Sequence, residues 1–194
     1  MAPWIEYLDR RPILVTIAGP NGAGKSTFFE SHLKATGLRF LNADVIAREL
    51  EVDAYEAARM ISALRTELVA QRESFIFETV FSDPAGDKLG FLKQAVQSGY
   101  AVVICFVGID DAEVSEQRVA MRVSQGGHDV PSEKLVERFP RTLTNLAKAI
   151  RELPCVLVFD NGDLNVPFRH VAVYADGKSV QLNEPVLTWL KELL

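Results

Sequence analysis

Gly19-Pro20-Asn21-Gly22-Ala23-Gly24-Lys25-Ser26 lies between the apolar run Ile13-Leu14-Val15-Thr16-Ile17-Ala18 and a segment with helical character that opens at Lys25-Ser26-Thr27. A run that is β-branched, apolar and without alternation suits a central parallel strand covered on both faces. The quoted stretch satisfies G-x-x-x-x-G-K-[ST] at every position and stands in the strand, loop and helix context that this pattern needs. Each residue type has a reason. Glycines let main-chain amides approach phosphate oxygens, and the helix N-terminus adds partial positive charge. A lysine reaches the outer phosphates, and a hydroxyl is offered to a metal. Gly19 to Thr27 is therefore read as an ATP-binding loop, with Lys25 on the phosphates and Ser26 as ligand to Mg2+. The plainer reading, a glycine-rich turn capping a helix without ligand, is disfavoured by the correct flank on either side.

Working outward, Phe40-Leu41 predicts a short strand, and Asp44 to about Arg72 one helix with Ile46, Leu50, Ala54, Ala58, Ile61, Leu64 and Leu68 at helical spacings. Ser74 to Glu78 predicts the next strand. Asp83-Pro84 reads as a helix opener, the helix running to about Ser98-Gly99, and Tyr100 to Val107 as a strand. From Asp110 to Arg151 two polar helices are divided at Gln125-Gly126-Gly127-His128-Asp129-Val130-Pro131; this pair, residues 110–151, is read as a lid. Cys155 to Phe159 predicts another buried strand, His170 to Tyr174 an edge strand, and Glu184 to Leu194 a closing helix. Alternating strands and helices predict an α/β fold, a doubly wound parallel sheet in a single domain; with the phosphate loop and the helical lid it resembles a P-loop NTPase of the nucleotide-kinase-like kind.

The composition agrees. A chain of 194 residues with 48% apolar and 24% charged residues has room for one α/β domain with an insertion. Its net charge of -5 disfavours general affinity for nucleic acid. Cys105 and Cys155 each sit in an apolar run and read as buried free thiols. The start has no basic region followed by an apolar stretch, and no run approaches the roughly 20 apolar residues of a membrane span. A cytoplasmic protein without membrane association is expected.

Two carboxylates stand at strand ends. Asp44 follows Leu41-Asn42-Ala43, and Glu78 ends a strand in Phe77-Glu78-Thr79; in this fold both positions face the nucleotide cleft. Asp44 would orient an acceptor hydroxyl and take its proton, while Glu78, with Thr79 beside it, would hold the acceptor or a metal-bound water. The alternatives are a helix-capping Asp44 and a solvated Glu78. Arg118 and Arg122 lie four apart on one helical face, able to close over a transferring phosphate. Arg138 and Arg141 are better read as solvated or paired with Glu113, Glu116, Glu133 and Glu137. His128, after two glycines, is a candidate ligand contact or a plain polar turn. His32 and His170 read as structural, and no zinc-type cluster exists.

These segments together, Gly19 to Thr27, Asn42-Ala43-Asp44, Phe77-Glu78-Thr79 and an arginine-bearing lid, resemble the zeta-toxin family of P-loop kinases in order, from about Ile13 to Phe159. The resemblance implies ATP- and Mg2+-dependent phosphorylation of a small hydroxylated acceptor, such as the nucleotide sugar UDP-N-acetylglucosamine. It also implies silencing by a small antitoxin-like protein. It carries the family's P-loop lysine onto Lys25, its catalytic aspartate onto Asp44, its substrate-side glutamate onto Glu78 and its first lid arginine onto Arg118. The second lid arginine has no counterpart: its place before Pro131 is held by His128, and Arg122, one turn from Arg118, is the candidate substitute. The Gly-Gly-His-Asp-Val-Pro run resembles a subgroup described as predicted ATPases. The loop also resembles that of ABC-transporter ATPases, with Asp160 mimicking a magnesium-binding strand end. The Ser-Gly-Gly-Gln signature is missing, however, and Asn161 replaces the catalytic glutamate. A nucleotide-dependent switch without acceptor chemistry is the third reading.

Overall fold

The computed structural model describes residues 3–124 and 130–193. Strand β1 (Ile13–Ala18) is buried along its whole length and pairs in parallel with β3 (Phe75–Thr79) on one side and β4 (Ala101–Gly108) on the other. β2 (Arg39–Leu41) adds outside β3 and β5 (Cys155–Asp160) outside β4, both parallel. The sheet then reverses: β6 (Arg169–Ala175) and β7 (Lys178–Leu182) are antiparallel, giving the order β2-β3-β1-β4-β5-β6-β7. The fold is mixed α/β, with five parallel strands, β1 to β5, making up one edge and the middle of the sheet and the antiparallel pair the other edge.

The pleat sends alternate residues into two cores. Leu14, Ile104, Phe106, Val156 and Val158 meet Ile61 and Leu68 of α3 (Ala54–Ala70), Leu89 and Leu92 of α4 (Asp87–Gln97), and Leu146 and Ile150 of α6 (Ser132–Glu152). On the other face Val15, Ile17, Cys105, Val107 and Leu157 pack against Trp4, Phe28 and Leu33. Cys105 and Cys155 are free and buried, as expected; burial pushes the Cys155 thiol up to about 12.

Register explains where a ligand would go. Ala18 lies opposite Thr79 and Phe106, and Gly108 opposite Asp160, so the carboxyl ends of four strands stop along one edge. α1 (Lys25–Phe28) leaves that edge and continues through a wider turn, Phe29–Leu33. α5 (Ala112–Ser124) and α6 follow β4 and lie where the sequence places two polar helices.

Four expectations are corrected. The helix read from Asp44 to Arg72 is two, α2 (Ala43–Leu50) and α3, because Glu51 adopts a left-handed φ of 53° and the Asp53 carboxylate caps a new start at the amides of Tyr55 and Glu56. α4 begins at Asp87 after Gly86, not at Asp83-Pro84; the Asp83 carboxylate instead accepts from the Lys88 amide at 3.2 Å. β6 is not the edge, since the mostly exposed β7 pairs outside it. The closing helix is a single turn, α7 (Thr188–Lys191).

Candidate functional site

The loop after β1 is fixed from three directions. A methyl group at Gly19 would strike the Val107 carbonyl of β4, and one at Gly24, where φ is 87°, would stand 2.8 Å from Asn161 Nδ2. Only glycine fits such approaches. Asn161 Nδ2 donates to the Ala23 carbonyl at 2.9 Å, and Ser115 Oγ of α5 donates to the Asn21 carbonyl at 2.8 Å. Lys25 is buried and its Nζ donates to the Pro20 carbonyl at 2.9 Å, curling back over the loop it belongs to. Burial lowers its pKa; Glu78 and Asp44 oppose that shift and Arg122 adds to it. Lysine, carboxylates and arginine therefore share one electrostatic neighbourhood.

Glu78 is the hub. Its Oε2 accepts from Ser26 Oγ at 2.8 Å and from Asn42 Nδ2 at 2.9 Å. The Asn42 side chain also caps α2, its Oδ1 accepting from the amides of Asp44 at 2.8 Å and Val45 at 3.2 Å. Asn42, not Asp44, thus performs the capping, which leaves the Asp44 carboxylate exposed at the mouth of the cleft. Thr79 Oγ1 accepts from the Phe81 amide at 3.0 Å, and Thr27 is exposed on α1.

Two cavities adjoin at these groups. The smaller, about 310 Å³, is walled by Asn21, Gly22, Lys25, Tyr55, Arg122 and Lys134. The larger, about 580 Å³, extends along Ile61, Arg65, Thr79, Phe81, Lys88 and Arg141. Asp44, Glu78 and Arg138 belong to both walls. Both volumes are in the range of small-molecule sites.

The lid arginines separate. Arg122 lines the smaller cavity, whereas Arg118 lines neither: its Nη2 donates to the Gly162 carbonyl at 3.1 Å and its Cβ packs near Gly22. Arg141 pairs with Glu137 at 3.0 Å, the solvated reading, yet it and Arg138 both face the larger cavity. His128 lies outside the described residues. Asp160 sits outside both cavities, its Oδ1 accepting from the Gly162 amide at 3.0 Å and its Oδ2 3.7 Å from Arg169; burial raises its pKa. Sequence reasoning missed Asn42, Ser115, Asn161 and Arg65. Only Asn42 carried a signal, as an asparagine just ahead of a helical run.

Residues 14–146 match a protein family described as an AAA domain. No curated protein matches the chain. Among solved structures the chain is similar to the crystal structure of AvrRxo1-ORF1:AvrRxo1-ORF2 with sulphate ions, with TM-score 0.73 and 16% identity over 98% of this chain and 66% of that one. It is similar to the same pair with ATP, with TM-score 0.70 and 16% identity over 94% and 64%. It is also similar to a structure of the PezAT chromosomal toxin-antitoxin system of Streptococcus pneumoniae, with TM-score 0.63 and 16% identity over 96% and 78%. The chain spans just under two thirds of the two AvrRxo1 structures' length. At such identity the likeness is one of fold.

Proposed function

Because this chain belongs to the AAA-domain family and has a P-loop kinase-like fold, we propose that it transfers the γ-phosphate of ATP to a hydroxyl of a small acceptor. The observation that carries this reading is the pair of cavities meeting at Asp44 and Glu78, one on the phosphate loop and one beyond it. An ATPase that used only water has no need of a second cavity of about 580 Å³ opening on the same carboxylates. The likeness to a structure solved with ATP supports the nucleotide.

In this reading the loop amides and Lys25 hold the outer phosphates, and Arg122 meets charge that develops during transfer. Asp44 orients the acceptor hydroxyl and takes its proton as the new oxygen–phosphorus bond forms and the bond to the β-phosphate oxygen breaks, leaving ADP. Ser26 Oγ and the Glu78 carboxylate, 2.8 Å apart, are hard oxygen donors suited to Mg2+ directly or through water. Mg2+ in sites of this kind is held largely by phosphates and water, with only one or two protein oxygens. Bound there, Mg2+ would neutralise charge on the β- and γ-phosphates. Residues 110–151 act as a lid on a single kinase-like unit, residues 1–194. UDP-N-acetylglucosamine is one acceptor of suitable kind, and the PezAT relative supports an antitoxin-like protein partner.

The test is incubation with γ-labelled ATP, Mg2+ and a panel of hydroxylated acceptors that includes nucleotide sugars. Label on an acceptor is the expected result. Label only in inorganic phosphate sinks the acceptor and favours an ATPase or nucleotide switch.

A further inference from the structure

The larger cavity contains a cation that phosphoryl transfer does not use. Ala57, Ile61, Arg65 and Leu68 form the buried stripe of α3, so Arg65 occupies a place where an apolar side chain belongs. It is 9% exposed. Its guanidinium carbon stands 4.7 Å from the centroids of both Phe77 on β3 and Phe91 on α4. One terminal nitrogen donates to Ser62 Oγ at a long 3.3 Å, and Nε is buried without a hydrogen-bond partner. Among the described residues no carboxylate lies within ion-pairing distance of it. The carboxylate that acts on it at longer range is Asp83, already engaged by the backbone amide and Nζ of Lys88 at 3.2 and 3.3 Å.

Burying a guanidinium without a counter-ion is costly, and two ring faces recover only part of the lost hydration. A brace between helix and sheet could be made more cheaply by leucine or methionine. What arginine adds is a planar fork of donors matched to a carboxylate or phosphate. Of the other cations of this wall, Lys88 pairs with Asp83 and Arg141 with Glu137, while Arg138 stands where the two cavities join, at the end shared with the phosphate loop. Asp44 and Glu78 line the same cavity, so a molecule filling it would span from their carboxylates to Arg65.

We propose that the acceptor carries an oxyanion, carboxylate or phosphate, away from its reacting hydroxyl, and that Arg65 receives it. The word acceptor rests on the phosphotransferase reading; the anion site does not. The test fills the nucleotide site with a non-hydrolysable ATP analogue and Mg2+, then compares glucose, gluconate and glucose 6-phosphate by saturation-transfer NMR. These share a carbon skeleton and differ in having no anion, a carboxylate or a phosphate. At least one anionic probe should bind about tenfold tighter than glucose, and Arg65→Gln should erase that preference while leaving ATP-analogue affinity unchanged. If Arg65→Gln does not fold, Arg65→Lys serves, because it keeps the charge and loses the fork; the preference should then weaken several-fold.

The proposal is overturned by equal binding of glucose and both anions, by anion binding that neither substitution changes, or by failure of both anions to bind at millimolar concentration. Transfer assays separate it from the reading it builds on. Arg65-dependent binding without label on any acceptor ends the phosphotransferase and keeps the anion site. Transfer to an anionic acceptor at the same rate and with the same KM in Arg65→Gln does the reverse.

Discussion

Asn42→Ala removes two things at once, and their sizes can be worked from the contacts. The cap on the Asp44 and Val45 amides is worth about 1 kcal/mol. The bond to the Glu78 carboxylate, made by a side chain only 6% exposed, adds about 1.5–2 kcal/mol. In a chain of this length each kcal/mol moves the melting temperature by about 2–4 °C, so the fall should be at most about 12 °C. It will be smaller if α2 opens alone, for that helix has no fully buried side chain. Asp44 then loses its fixed start, and kcat for ATP turnover should drop about tenfold or more with little change in ATP affinity. Asn42→Asp separates the two roles. It keeps an acceptor for the amides but sets a second carboxylate against Glu78, so the helix should survive while turnover falls. Calorimetric melting, amide exchange at Asp44 and Val45, and ADP release would be read for both variants. Wild-type melting and wild-type turnover in Asn42→Ala would refute the reasoning.

Lys25→Ala should abolish ATP binding or turnover, since it removes the buried charge facing the outer phosphates; unchanged affinity by titration calorimetry would contradict this. Asp44→Asn should spare ATP binding and lower transfer by about 100-fold or more, because geometry survives and basicity does not. Equal loss of both would make Asp44 structural. Burial lowers the pKa of His32 and His170 below the ordinary 6.5, with backbone hydrogen bonding opposing it at each. Both therefore hold fewer protons folded than unfolded, so their contribution to stability is full above the unfolded value of about 6.5 and is lost progressively as pH falls from there through their lower folded values. The urea midpoint should drop between about pH 7 and about pH 5, and the double variant His32→Gln, His170→Gln should show a smaller drop.

The phosphate loop was legible because its signal is local: an all-apolar strand, a glycine pattern and a helix in unbroken succession. The apolar runs of β4 and β5 were legible for the same reason. The break at Glu51 was not, since a left-handed glutamate leaves no mark in an apolar pattern; Asp53, a capping residue ahead of Tyr55 and Glu56, was the available hint. β7 was missed because most of its residues are exposed and it has little apolar alternation, although Asp176-Gly177 between β6 and β7 is a turn pair. Arg65 was illegible in principle. Leu64, at an expected apolar spacing, is only partly buried, while its charged neighbour turns inward between two rings that come from β3 and α4. Arg118 and Arg122 show the converse: a shared helical face did not give them a shared target.

The two ends of the cleft are built by different parts of the chain. The phosphate end is pressed into shape by β4, α5 and the turn after β5, through Val107, Ser115 and Asn161 acting on Gly19, Gly22 and Gly24. Every one of these contacts is to backbone or to a side chain that is itself hydrogen-bonded to backbone, so the loop is set before any ligand arrives. The other end, where an acceptor is proposed to sit, is lined by α2 and α3 through Asp44, Ala58, Ile61 and Arg65, and by the segment from Glu78 to Lys88 with Arg138 and Arg141 of α6. Glu78 is the joint between them: one carboxylate oxygen ties Ser26 of the loop to Asn42 at the head of α2. The loop can therefore keep its shape while residues of α2, α3, α6 and the segment after β3 change what lies opposite it. On this division of labour the phosphate loop follows from motif chemistry, whereas the opposite wall depends on side chains such as Arg65 that no motif names, which is why the anion proposal has to be tested at that residue.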